Sequence, residues 1–66
     1  MKLDGTVTAV HPAGLFDVEL EGGQTVHAHL SGRLRRFRIR VILGDQVTVA
    51  LSPYDLTHGM IVWRTG

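Results

Sequence analysis

Sixty-six residues without a cysteine make one small domain that must fold on a hydrophobic core alone, because neither disulfides nor a thiolate metal site is available. Apolar residues form 44% of the chain, which excludes a disordered polymer, while every apolar run falls far short of the roughly 20 residues needed to span a bilayer. The formal net charge is only +1, Met1-Lys2-Leu3-Asp4-Gly5 lacks the apolar segment of an export signal, and the lack of cysteine fits a reducing compartment, so a soluble cytoplasmic protein is expected.

The dominant hydrophobic period is two. Thr6–Val10 is a β-branched first strand, followed by a turn signal at His11-Pro12-Ala13-Gly14. Phe16, Val18 and Leu20 then alternate with Asp17, Glu19 and Glu21, and Val26, Ala28 and Leu30 alternate with Thr25, His27 and His29. Both patterns predict strands with one apolar face. The hairpin between them has a definite register. A two-residue loop would set apolar against polar side chains, whereas a three-residue loop, Glu21-Gly22-Gly23, pairs Leu20 with Gln24, Val18 with Val26 and Phe16 with Ala28. This places Gly23 in the left-handed conformation and Asp17 across from His27.

The next segment is the most unusual. Five of the six arginines, Arg33, Arg35, Arg36, Arg38 and Arg40, fall within eight positions that hold no acidic residue. Ser31 is suited to cap a helix start, and Leu34 and Phe37 give it a short apolar stripe. One or two helical turns are expected, then extended chain from Arg38 with Ile39 and Val41 turned inward. Val47, Val49 and Leu51 form a fourth alternating strand after Gly44-Asp45. Ser52-Pro53-Tyr54-Asp55 is a turn with proline at its second position, and Met60–Trp63 is the last strand. Five short strands with regular turns predict a closed barrel, since closure removes exposed edges.

A cationic block on a nearly neutral protein points to a polyanion, because the arginine fork matches phosphate oxygens. The bland alternative, a solvated loop, is disfavoured by the absence of interleaved carboxylates. Phe37 is suited either to stacking on an unpaired base or to anchoring the core beside Leu34. Trp63, beside Arg64, either covers the end of the barrel or leans on RNA. Phe16 reads as core, and Tyr54 as a packing residue with a wet hydroxyl. His27 and His29 share a strand face with Asp17 nearby. Two nitrogens and one oxygen without a fourth ligand make a poor zinc site, so no metal is expected, and His29 reads better as a hydrogen-bond donor to RNA. Catalysis is not expected, since Ser31 and Ser52 sit at cap or turn positions and the only lysine, Lys2, follows no glycine-rich phosphate loop.

In order along the chain, Gly5-Thr6-Val7, Phe16, Val18-Glu19-Leu20-Glu21, Ala28-His29-Leu30-Ser31-Gly32, Arg35, Ile39-Arg40, Gly44-Asp45 and Val47-Thr48-Val49 resemble bacterial translation initiation factor 1. So do Leu51-Ser52-Pro53-Tyr54-Asp55-Leu56-Thr57, Gly59, and Ile61-Val62 before Arg64. The Ser-Pro-Tyr-Asp-Leu-Thr stretch is the most specific. The resemblance covers nearly the whole chain and implies an all-β, five-stranded OB-fold barrel of the S1-like type, with a short helix or helical turn between the third and fourth strands. Residues 1–66 would form a single RNA-binding domain.

It further implies a non-enzymatic factor without cofactor, which binds 16S-type rRNA at the decoding (A) site of the small ribosomal subunit. Such a factor assists initiation factors 2 and 3 and is a monomer off the ribosome. By position, the family's basic loop falls on Arg33, Arg35, Arg36 and Arg40, its basic C-terminal end on Arg64 and its outer histidine on His29. With Phe37 and Arg38 these complete the candidate RNA-binding set. Phe37-Arg38 stands where relatives usually carry Asn-Tyr, and Leu43 where proline is usual. Asp17, Gln46, His58 and Met60 occupy positions that are basic elsewhere, and the acidic leader is nearly absent. Positive charge is thus concentrated in one loop, as in a divergent paralogue or a factor tuned to a particular ribosome. The rival readings are a general single-stranded RNA binder or RNA chaperone of the cold-shock type, and a protein-interaction module that has lost its RNA contacts.

Overall fold

Alternating side chains dictate the secondary structure, and the computed structural model, which describes residues 1–65, places every inward set in one core. The strands are β1 (Lys2–His11), β2 (Leu15–Leu20), β3 (Thr25–Leu30), β4 (Gln46–Ser52) and β5 (Asp55–Arg64). One helix, α1 (Gly32–Arg36), lies between β3 and β4, and a short 3-10 turn, Pro12–Gly14, joins β1 to β2. Val7, Phe16, Val18, Leu20, Val26, Ala28, Val47, Val49, Leu51 and Ile61 are buried together, with Leu34 and Val41 closing the core. Leu30 and Ile39 pack on it from the side.

The strands close into a barrel in the order β1-β2-β3-β5-β4, with β4 returning to β1. All pairs are antiparallel except β3 with β5. At this parallel seam Gly59 faces Ala28 and lies against the core. A Cβ there would stand 2.5 Å from Val49 Cγ1 and 2.8 Å from Leu51 Cδ2, so closure at this point needs a residue without a side chain.

The β2–β3 hairpin has the register read from the sequence: Phe16 opposes Ala28, Asp17 opposes His27, and Val18 opposes Val26. Its loop closes with the Gly23 amide donating to Leu20 O at 2.9 Å and the Leu20 amide to Gln24 O at 2.7 Å, with Gly23 at φ +88°. Two strands are longer than predicted. β1 starts at Lys2 and β5 at Asp55, because pairing with β4 extends order through residues of low strand propensity. Tyr54, expected to pack, is 97% exposed at the β4–β5 turn, whose two residues lift its ring clear of the barrel.

Candidate nucleic-acid interface

Five residues are too few for a helix to persist alone in water, so α1 must be held by its ends and by one apolar contact. Ser31 caps it, its Oγ accepting from the Leu34 amide at 3.2 Å, an interaction worth about 1 kcal/mol. The Ser31 amide also donates to Ile61 O at 2.9 Å, fixing the helix start to β5. Leu34 is buried, contributing about 2 kcal/mol. At the other end the Ile39 amide donates to Leu34 O at 2.9 Å and the Arg38 amide to Arg35 O at 3.1 Å. These two bonds are a Schellman closure, and the residue it forces into the left-handed region is Arg38, at φ 54°. The chain from Arg38 is therefore not extended as expected. It reverses at Arg38, and the following irregular segment sends Ile39 and Val41 to the core.

With Leu34 facing inward, Arg33, Arg35 and Arg36 are all exposed, and Arg38 and Arg40 continue the patch. Among the described residues none of these five guanidinium groups lies in an ion pair with a carboxylate. Their charge is fully available to an external anion. Three of them lie in the last turn of α1, where cations are favoured by the exposed carbonyls. Arg64 is different. Its guanidinium donates to Arg40 O at 2.7 Å, and its Nε lies 3.8 Å from the buried Asp45 carboxylate. It therefore ties the end of β5 to the arginine segment, a bridge that sequence spacing does not reveal.

Phe37 is 65% exposed beside these arginines, which overturns the core-anchor alternative: Leu34 alone fills the inward position. Trp63 is 57% exposed on β5 and does not seal the barrel. His29 points outward from β3 and, with Arg35, Leu30, Ala13 and Gly14, lines a shallow cleft beside α1. The structure thus brings His29 and Arg35 together, and Arg40 and Arg64 together.

Sequence reasoning found Asp17 opposite His27 but missed its second partner. His27 Nδ1 lies 2.8 Å from Asp17 Oδ1 and His11 Nε2 lies 3.0 Å from Oδ2. Hydrogen bonds from His11 and then His27 hold the Asp17 carboxyl below its ordinary value. The signal available in the sequence was His11 at the end of an outward-facing strand. Its meeting with Asp17 depends on a register shift between Val7 and Ala9 in β1. Asp55 is held low by the Thr57 hydroxyl and amide first and by His58 less strongly. Among the described residues no group of three or more His, Cys, Asp or Glu side chains is placed to hold a metal ion, and no helix is long and apolar enough to cross a membrane.

A closed five-stranded barrel with a parallel β3–β5 seam and a helix between β3 and β4 is an OB-fold. The same barrel occurs in translation initiation factor 1 from the Wolbachia endosymbiont strain TRS of Brugia malayi. That solution structure matches this chain with a TM-score of 0.83 at 40% identity, over 100% of this chain and 78% of the other. YjeQ from Thermotoga maritima shares the fold, with a TM-score of 0.80 at 24% identity over 23% of its own length. Translation initiation factor IF-1 of Solibacter usitatus (strain Ellin6076) is 58% identical over 64 residues, covering 97% of this chain and 89% of that protein. The family model for translation initiation factor 1A / IF-1 matches residues 2–66. The chain belongs to the translation initiation factor 1A / IF-1 family, and this kinship supports a role in translation initiation.

Proposed function

We propose that residues 1–66 act as one S1-like RNA-binding domain, a cytoplasmic, non-enzymatic initiation factor that binds rRNA at the decoding (A) site of the small ribosomal subunit and assists initiation factors 2 and 3. The observation that carries this reading is the row of five arginines, without carboxylate partners among the described residues, held on a short, doubly capped helix and its exit loop. Arg33, Arg35, Arg36, Arg38 and Arg40 fix the protein on the RNA through phosphates, which sets register without reading bases. Arg64 holds the loop against the barrel, His29 supplies a hydrogen bond at the edge of the patch, and Phe37 is exposed for stacking on an unpaired base.

A general single-strand binder needs a platform of aromatic side chains on the strands. Here the outer face of β2 and β3 carries Asp17, Glu19, Thr25, His27 and His29 instead. The decisive measurement compares binding to isolated small ribosomal subunits and to unstructured RNA at two salt concentrations. With about four phosphates neutralised, subunit affinity should fall by roughly two decades between 50 and 200 mM salt. Equal affinity for both partners would favour the general binder. Normal subunit binding by a variant with Arg33, Arg35, Arg36 and Arg40 all changed to Glu would remove the arginine segment from the mechanism.

A further inference from the structure

The outer face of the barrel holds a second cluster that the arginine patch does not use. Across β2, β3 and β5 lie Asp17, His27 and His58 in adjacent register, with His27 opposite both of the others. His11 joins Asp17 from the end of β1, and Asp55 joins His58 from the start of β5. The His27 and His58 rings are 5.8 Å apart between centroids. The other charged or titratable groups on this surface are Glu19 on β2 and His29 on β3, with Arg35 of α1 at its edge.

The hydrogen bonds decide what these imidazoles can do. His27 Nδ1 lies 2.8 Å from Asp17 Oδ1, and His58 Nδ1 lies 3.1 Å from Asp55 Oδ2. An ionised carboxylate only accepts, and the Thr57 hydroxyl, 3.0 Å from His58 Nδ1, donates its own proton to Asp55 Oδ1. The hydrogen-bond pattern thus assigns the proton to Nδ1 in both rings. Each neutral ring therefore presents Nε2 as a bare lone pair, which repels a phosphate oxygen. Protonation converts the same atom into a charged N–H donor. Two imidazolium rings this close repel each other unless an anion lies between them. The hydrogen bonds that hold the Asp17 and Asp55 carboxyls below their ordinary value keep both partners ionised over the range in which histidine gains its proton.

We propose that His27 and His58 form a proton-gated phosphate site for the RNA backbone on the β2-β3-β5 face, closed near neutrality and opened by mild acidification. Protonation of His11, His27, His29 and His58 against Asp17, Glu19 and Asp55 changes this face from three negative charges to one positive. A single strand leaving the arginine segment past Arg35 and His29 reaches the pair directly along β3. The inference rests on the reading that the neighbouring arginines bind RNA, and it adds a condition under which the footprint on that RNA widens.

The test is fluorescence anisotropy with a tetramethylrhodamine-labelled twelve-nucleotide oligouridylate, whose bases do not titrate between pH 5 and 8, on the full chain at pH 7.5 and 5.5. The wild type should bind about tenfold tighter at pH 5.5 at low salt, the scale of one charged hydrogen bond. The salt slope should steepen by about 0.7 for each phosphate gained. A His27→Gln/His58→Gln variant should bind as the wild type does at pH 7.5 and lose most of the acid increment. A flat wild-type ratio, or an unchanged increment in the double variant, overturns the proposal. In the unmutated protein, NMR titration of the His27 and His58 ring signals should show both midpoints rising when the oligouridylate is added, and midpoints that stay put overturn it independently of any folding defect. If the Arg33/Arg35/Arg36/Arg40 charge reversal leaves binding at pH 7.5 intact, the proposed function fails instead, whatever the pH ratio shows.

Discussion

Replacing Arg38 by glycine is expected to stabilise the fold while weakening RNA binding. Arg38 is held at φ 54° by the two closing hydrogen bonds of α1, in the position where helices usually end on glycine. A side chain bearing a Cβ in that region costs about 1–2 kcal/mol. Glycine removes that cost but forfeits roughly 0.5–1 kcal/mol through the greater freedom of the unfolded chain. The net gain is about 0.5–1 kcal/mol, or some 3–6 °C in Tm for a domain this small. The control is Arg38→Ala, which loses the same charge but keeps the strain, so the glycine variant should exceed it in stability by about the same 0.5–1 kcal/mol. Urea and thermal unfolding followed by circular dichroism would measure this. Both variants should lose about one unit of salt slope in RNA binding, the share of one phosphate contact. An alanine variant more stable than the glycine variant by roughly 0.5–1 kcal/mol, the unfolded-chain term alone, would show that Arg38 is unstrained and refute the reasoning.

Gly59→Ala should destabilise the barrel by about 1–3 kcal/mol, because the new methyl meets Val49, Leu51 and the Ala50 carbonyl at the closing seam. Gly22→Ala, with nothing within 4 Å, should move the unfolding midpoint by no more than about 0.5 kcal/mol. Asp17 titrates below its ordinary 3.8 in the folded protein, so its contribution is present above that value and disappears as pH falls through the lower folded pKa. The urea midpoints of wild type and Asp17→Asn should therefore differ near pH 5 and converge toward pH 2, and a constant gap across that range would contradict the assignment. Phe37→Ala should leave stability within about 0.5 kcal/mol of wild type, since the ring is exposed, yet cost about 1–3 kcal/mol in binding RNA with an unpaired base. A loss of stability without a loss of affinity would return Phe37 to the core.

Period-two alternation determined the barrel, because in a strand every second side chain must enter the core and a one-residue slip would expose it. That constraint by itself sets the β2–β3 register and the left-handed Gly23. The arginine segment was equally legible, since a block of like charge without carboxylates is a property of the chain itself. Hydrophobic period was silent where side chains are polar and contacts are long-range. It could not show that Leu34 alone would fill the inward helical position and leave Phe37 exposed, or that Arg38 would reverse the chain. Nor could it show Arg64 on the Arg40 carbonyl, His11 on Asp17, or His58 beside His27, pairs brought together by barrel closure, strand register and a shift within β1. Local sequence set which faces are apolar. The closed sheet decided which polar groups meet, because only tertiary structure sets the distances between strands.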